Sequence, residues 1–227
     1  MKGNRKKGIY EKYVKRQMDF ILSLMALIIL SPVLVVLTII GTFAMKGNPF
    51  FIQPRPGRDE KIFKLVKFRT MSNAKDKDGN LLPDELRLNK YGKFLRSTSL
   101  DELPELWNIF IGDMSIVGPR PLAVQYLPYY NENERKRHEI LPGLTGLAQI
   151  NGRNCVNWPK RFAYDVEYVE KVSFMLDVKI ILKTILKVFK RSGVSVRATG
   201  EIIDFDKYRI LENKSKLVKN NGTDEKK

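Results

Sequence analysis

Two adjacent carboxylates, Asp101 and Glu102, stand in the stretch RSTSLDELPELWN (96–108). Paired acids are raw material for nucleophilic, acid–base or metal chemistry. The same residues also spell a helix start. Ser99-x-x-Glu102 has the spacing of a capping box, in which the hydroxyl accepts a first-turn N–H and the glutamate reaches back to the cap. Acids are favoured at a helix N-terminus in any case. Alone, the stretch fits a cap better than a reaction centre, so its surroundings must decide.

Those surroundings are cationic. In chain order come Lys67 and Arg69, Arg96, the Asp101-Glu102 pair, Asp113, Gly118-Pro119-Arg120-Pro121, and Gly152-Arg153. Guanidinium forks match phosphate oxygens. Glycine loops let backbone N–H groups approach an anion, and a helix beginning at Ser99 offers one more anion site. Together these residues form a candidate diphosphate pocket.

Other chemistries have less support. One cysteine, Cys155, allows no intrachain disulfide. The one histidine, His138, leaves no zinc set. It falls in NENERKRHEI, a charged run that reads as a solvated face. Asp76-x-Asp78 suggests a calcium loop, but Leu81 and Arg87 stand where glycine and glutamate are needed. Neither a Walker loop nor a dinucleotide fingerprint is present.

A net charge of +16 points to an anionic partner: nucleic acid, anionic lipid or a phosphorylated substrate. A nucleic-acid binder, even a membrane-tethered one, needs a basic stripe with stacking aromatics and no acidic pair. Here the basic residues follow the phosphate loops and an apolar segment, so no nucleic-acid partner is expected.

That segment, residues 20–45, carries no charge. As a straight helix it would reach about 39 Å, enough to span a hydrocarbon core of about 30 Å. Ser31-Pro32 interrupts it near the middle. Lysines and arginines flank both sides, among them Arg5, Lys6, Lys7, Lys12, Lys15 and Arg16 before it and Lys46, Arg55 and Arg58 after it. Cytoplasmic retention of both flanks requires the chain to turn back. The residues alone fit a re-entrant helix-break-helix and a kinked spanning helix equally.

The remaining elements must place the charged residues. KIFKLVKF (61–68) alternates charged and apolar residues, so a strand or hairpin is expected over 49–71. Helices are expected at 85–96, 99–111, 122–140, 159–170 and 176–191. GDMSIVGPRP (112–121) and LPGLTGLAQINGRN (141–154) read as glycine-punctuated loops. The last helix sets Lys179, Lys183 and Lys187 at four-residue intervals among apolar residues, the pattern of an interfacial amphipathic helix. The fold class is therefore mainly helical α+β with a small β element. Its parts are a basic N-terminal segment (1–19), the membrane element (20–45), a cytosolic catalytic domain (46–193) and a partly disordered, fraying tail (194–227).

RPGRDEKIFKLVKFRTM, RSTSLDELPELWNIFIGDMSIVGPRP and PGLTGLAQINGRN, in this order behind an apolar run broken by Ser-Pro, resemble the bacterial sugar transferases. These are monotopic polyprenol-phosphate phosphoglycosyl transferases, and the resemblance covers about residues 10–195. In length the chain is similar to small members such as the diacetylbacillosaminyl-1-phosphate transferases. The resemblance implies a re-entrant membrane element broken at Ser31-Pro32, on the cytoplasmic face of the bacterial plasma membrane. It implies transfer of a sugar-1-phosphate, from an N-acetylated aminosugar carried on UDP, to polyprenyl (undecaprenyl) phosphate, with release of UMP. UDP-galactose or UDP-glucose, for exopolysaccharide or capsule synthesis, is the alternative donor. An inactive scaffold is the alternative of another class.

The resemblance further implies Mg²⁺ as cofactor, Asp101 as nucleophile and metal ligand, and Glu102 as its catalytic partner. It implies phosphate- or nucleotide-binding roles for Lys67, Arg96, Arg120 and Arg153. Anionic lipids and downstream glycosyltransferases are the further partners expected. Leu147, Arg58 and Pro54 stand where many members carry tryptophan, leucine and asparagine. None of the three is a charged motif position.

Overall fold

The computed structural model describes residues 6–152, 156–189 and 203–224. It is mainly helical, with two small two-stranded sheets. A single long helix, α1 (Lys15–Met45), follows a π-turn at Tyr10–Val14. Ser31 and Pro32 lie inside α1 and not in a gap between two helices, so the expected break takes the form of a proline within continuous helix. Proline removes one backbone donor there. Ser31 Oγ donates to the Ile28 carbonyl at 2.8 Å and so satisfies an acceptor in the turn before the proline.

One stripe of α1 faces the rest of the protein. Lys15, Asp19, Ser23, Leu37, Gly41 and Met45 are buried, and Ala26, Leu27, Leu30 and Leu34 are partly buried. Their spacing of three to four residues is that of one helix face. The opposite face exposes apolar side chains, including Ile21, Met25, Ile28, Ile29, Val36, Ile39 and Phe43. Among the described residues this is the one helix long and apolar enough to cross a membrane. Both of its ends are fastened to the same domain. At the start, Lys15 Nζ pairs with the buried Asp177 at 2.6 Å. Toward the end, Tyr91 Oη donates to the Leu37 carbonyl at 2.8 Å, and Asn89 Nδ2 to that of Ala44 at 3.0 Å.

The expected hairpin forms from β1 (Phe50–Pro56) and β2 (Ile62–Phe68), paired antiparallel from Phe50–Phe68 to Pro56–Ile62. The helix expected at 85–96 is split into α2 (Asp84–Arg87) and α3 (Lys90–Thr98), because Asn89 caps α3 by accepting from Gly92 N. The helix expected at 99–111 is also divided. A 3-10 turn, Leu100–Glu102, precedes α4 (Glu105–Ile111). Arg16 closes the far end of α4, donating to the Ile109 and Phe110 carbonyls at 2.7 and 2.8 Å. These are acceptors that a helix C-terminus leaves open.

Both glycine loops contain strands. β3 (Ser115–Val117) and β4 (Gly143–Thr145) pair in parallel. Their glycines serve backbone approach: a Cβ on Gly143 would lie 2.0 Å from Gly118 N, and one on Gly146 2.2 Å from Gly118 O. The Gly118 and Gly143 N–H groups donate to the Thr145 and Pro119 carbonyls. Both are spent inside the fold, which for Gly118 corrects the expectation that its N–H approaches an anion.

The single helix expected over 122–140 is a chain of short turns around α5 (Glu132–Arg135). Pro128 interrupts it, and an Asn131–Glu134 capping box starts a new turn. Helices α7 (Trp158–Lys171) and α8 (Phe174–Phe189) follow a short α6 (Leu147–Ile150), close to the expected bounds. On α8, Met175, Leu182, Ile185 and Leu186 are exposed beside its lysines, as the amphipathic reading expects. The region read as a fraying tail contains α9 (Phe205–Asp224), and Phe205 is fully buried among Tyr126, Tyr130, Trp158 and Phe162. The part of that tail at 194–202 lies outside the described residues.

Candidate active site

The carboxylate pair sits on the 3-10 turn between α3 and α4. Ser99 ends α3 in a left-handed conformation (φ 58°) and makes no side-chain cap bond. The contact between Glu102 and Ser99 is instead backbone, Glu102 N to Ser99 O at 3.3 Å. The capping box is thus not formed, and the reason is electrostatic. Both Glu102 oxygens are taken by cations from elsewhere in the chain. Arg120 binds them through Nη1 and Nη2, and Lys67 Nζ lies 3.4 Å from Oε1. Lys67 also contacts the Glu105 carboxylate at 2.8 Å.

Burial pushes the Glu102 carboxyl up, but Arg120 and then Lys67 outweigh it and hold it near 2. Glu102 is therefore a fixed anion. In return, its charge is the main reason that Arg120 is held firmly protonated. Asp101 has the opposite environment. Burial, and next the negative charge of Glu102, raise its carboxyl to about 6, against the opposing pull of Lys67 and Arg120. Among the described residues no side chain hydrogen-bonds or ion-pairs with the Asp101 carboxylate. Two neighbouring acids with affinities driven apart have separate roles. One is held charged to organise cations, and the other is near-neutral in affinity and open to a reactant.

Lys67 owes its place to a side chain the motif reading passed over. Asn108, fully buried on α4, accepts from Val66 N at 3.0 Å and donates to Lys64 O at 2.8 Å. Its carboxamide satisfies the open edge of β2 as a neighbouring strand would, and so sets Lys67 against the α4 start. Arg120 is held through its backbone. Arg137 Nη2 donates to the Arg120 carbonyl at 2.7 Å and pairs with Asp165 at 2.9 Å, both side chains being buried. These residues lie in NENERKRHEI and α7, where the sequence signal was charge alone. The solvated reading of that run is corrected. Arg137 and His138 are buried, and burial holds the His138 ring near a pKa of 3, as a neutral group contacting the Gly57 carbonyl.

Lys67, Asp101, Glu102 and Arg120 are thus brought together, with Glu105 added to them. Arg96 stands apart and exposed, its Nε donating to Thr70 Oγ1 and its Nη2 contacting Met71. Arg153 lies outside the described residues.

The chain has relatives among known proteins. The family model for bacterial sugar transferases matches residues 10–191. An uncharacterized sugar transferase of Bacillus subtilis, EpsL, is 52% identical over 71% of this chain and 81% of its own length. The exopolysaccharide production protein ExoY of Sinorhizobium fredii is 38% identical over 75% of this chain and 83% of its own. A UDP-glucose:undecaprenyl-phosphate glucose-1-phosphate transferase of Klebsiella pneumoniae is 42% identical over 77% of this chain, which spans 40% of that protein. The matched region runs from the π-turn through α8 and so contains the long apolar helix α1, the carboxylate pair and both cations on Glu102; the chain belongs to the bacterial sugar transferase family.

Proposed function

We propose that the protein moves a sugar-1-phosphate from a UDP-sugar to a polyprenyl phosphate and releases UMP. The observation that carries this is Asp101: a half-buried carboxylate with no side-chain partner among the described residues, next to a Glu102 whose charge is already paired with Lys67 and Arg120. Ionised Asp101 attacks the β-phosphorus of the donor. A phosphorus–oxygen bond to the acid forms, the bond to UMP breaks, and UMP leaves with the electron pair. A phosphate oxygen of the polyprenyl phosphate then attacks the same phosphorus and Asp101 leaves, regenerating the carboxylate. Covalent catalysis divides one hard transfer into two. Arg120 and Lys67 place positive charge where the phosphoryl oxygens gather it. Glu102 acts by holding those cations in position; held near 2, it is a poor proton carrier at neutral pH.

Magnesium fits this site as a substrate-borne ion. Among the described residues no cluster of three or more metal-ligating side chains exists. Mg²⁺ commonly takes one or two carboxylates plus substrate phosphates and water, and Asp101 supplies one carboxylate without a competing partner among the described residues. When bound, the ion would offset repulsion between the donor diphosphate and the acid.

The donor identity follows the relatives more than the small-member resemblance. The Klebsiella protein is named for UDP-glucose, and a protein of Erwinia amylovora, 38% identical over 80% of this chain, is named as a UDP-galactose-lipid carrier transferase. We therefore place UDP-glucose or UDP-galactose ahead of an N-acetylated aminosugar. Exopolysaccharide assembly, with glycosyltransferases acting downstream, is the corresponding role.

We further propose that the protein sits in one leaflet on the cytoplasmic face. α1 would measure about 46 Å as a straight helix, and the domain is bound to both its ends. A perpendicular span would carry that domain into hydrocarbon. The exposed apolar faces of α1 and α8 suit an interfacial position instead, with lysines of α8 available to anionic lipid. Screening UDP-sugars for UMP release in membranes, with and without polyprenyl phosphate, tests the reaction. Normal turnover by Asp101→Asn would end the nucleophile assignment. Labelling engineered cysteines on each flank of α1 from either side tests the topology, and a flank reached only from outside rules out the one-leaflet arrangement.

A further inference from the structure

A third carboxylate beside the Asp101–Glu102 pair has no part in the reaction described above. Glu105 opens α4, and only 1% of it is exposed. Its Oε1 lies 2.8 Å from Lys67 Nζ, and Lys67 is its one ion-pair partner among the described residues. Lys67 is shared unequally, since the nearer Glu102 oxygen is 3.4 Å from the same nitrogen. Glu102 also has Arg120 on both of its oxygens. The Lys67 ammonium therefore rests mainly against the buried acid.

The two cations differ in freedom. Arg120 is a planar fork on Glu102, and Arg137 fastens its carbonyl. Lys67 is a point charge on a flexible stem. Its side chain is 18% exposed, so an incoming phosphate can reach it. A phosphate that draws Lys67 to itself takes the counter-charge from Glu105, which lies too deep for water to replace it. A buried carboxylate stripped of its partner is strongly disfavoured as an anion and takes a proton instead. Burial already raises the Glu105 carboxyl, with Lys67 the main opposing influence. The surrounding charges allow this. Glu102, in the preceding turn, favours the neutral form, and Arg120, after β3, opposes it but is bound to Glu102. β1 brings Arg55 within electrostatic reach, and α1 brings Arg16 only to the opposite end of α4.

We propose that Glu105 is a positioning residue that competes with the donor diphosphate for Lys67, so that donor binding carries a proton into the protein. This rests on the transferase reading. The contact of the Lys67 ammonium with Glu105 breaks, and one with a phosphate oxygen forms. A proton passes from the solvent to the Glu105 carboxylate, and it returns when the phosphate departs. No covalent bond of the donor changes in this step. Glu105 thus parks Lys67 in the empty enzyme and releases it only to a ligand of sufficient negative charge. A group that gains a proton on binding makes affinity fall as pH rises.

The test uses the full chain in nanodiscs, with Asp101→Asn as parent to stop turnover and remove that acid's own titration. Glu102, held near 2, stays ionised throughout. The ligand is UDP-glucose or UDP-galactose, whichever wild type turns over. Calorimetry in buffers of different ionisation heat counts the protons taken up. The parent should take up close to a full proton per ligand at about pH 8, with affinity falling by up to about tenfold per pH unit. Adding Glu105→Gln, which keeps the shape, should abolish the uptake and tighten binding about tenfold at about pH 8, with little change at low pH. Adding Lys67→Met instead should weaken binding and also abolish the uptake. Thermal midpoints show which variants fold. Uptake that persists in folded Glu105→Gln, or weaker binding by it, overturns the inference. If that variant does not fold, a parent without uptake, or a folded Lys67→Met that keeps it, overturns the inference equally. Wild type that releases UMP from no UDP-sugar overturns the transferase reading as well, whereas active wild type whose parent variant binds without proton uptake removes only the role of Glu105.

Discussion

Asp101→Asn should abolish transfer and stabilise the fold. Asparagine nearly matches the acid in shape but carries no charge. In the folded protein the Asp101 carboxyl is raised from 3.8 to about 6, first by burial and then by Glu102. At about 1.4 kcal/mol for each tenfold change in proton affinity, the charge costs the folded state up to about 3 kcal/mol at neutral pH. Solvent reaches part of the group, so about 1–3 kcal/mol is the working range. The sign follows from linkage. A carboxyl raised on folding holds its proton more tightly in the native state. Its favourable contribution is complete below about pH 3.8 and is lost as pH rises through about 6. The variant's advantage should therefore be full at pH 7.5 and fade toward pH 4. With about 2–4 °C per kcal/mol in a protein of this size, the thermal midpoint in nanodiscs with chelator should rise by several degrees at pH 7.5. The same samples should release no UMP. A variant that is inactive but no more stable at pH 7.5, or equally stabilised at every pH, would refute the account of a strained, uncompensated nucleophile.

Four further outcomes follow from the same geometry. In wild type, kcat/KM for UDP-sugar should fall tenfold per pH unit below about pH 6, because protonated Asp101 cannot attack; a flat profile down to pH 5 contradicts this. Adding Mg²⁺ after chelation should raise the thermal midpoint of wild type more than that of Asp101→Asn, since only the acid gains a counter-charge. Asn108→Ala should cost about 2–4 kcal/mol by leaving Val66 N and Lys64 O unpaired, and should lower kcat through misplacement of Lys67; denaturation and UMP release report both. Lys15→Ala should cost up to about 3–5 kcal/mol by leaving the buried Asp177 carboxylate without a counter-charge, held only by the Tyr10 and Tyr168 hydroxyls, and limited proteolysis should then cut near the start of α1 sooner than in wild type.

The mainly helical class, the hairpin, α7, α8 and the apolar α1 were legible in the sequence because each rests on local periodicity. A charged–apolar alternation such as KIFKLVKF makes a strand wherever one face is covered. A charge-free run of 26 residues has one favourable solvent, and it is not water. The charged motif positions were legible by residue type and order. Lys67, Asp101, Glu102 and Arg120 do meet.

How they meet was not legible, since the deciding contacts join distant positions. Ser99 and Glu102 have the letters of a capping box, but a local cap bond is worth about 1 kcal/mol and competes with two cations on a partly buried carboxylate. Those cations come from 35 positions upstream and 18 downstream. The cations win, and Glu102 turns away from the cap. Gly118 looked like part of an anion loop because glycine permits any close approach; only the β3–β4 pairing shows that the thing approached is backbone. Arg137 and His138 looked solvated because charge usually is, until Asp165, 28 positions after Arg137, gave the arginine a buried partner. Residue types and local spacing specify which groups are available. Which carboxylate is neutralised and which stays reactive is an electrostatic property of the folded interior, where desolvation and long-range pairing set proton affinities that no short stretch encodes.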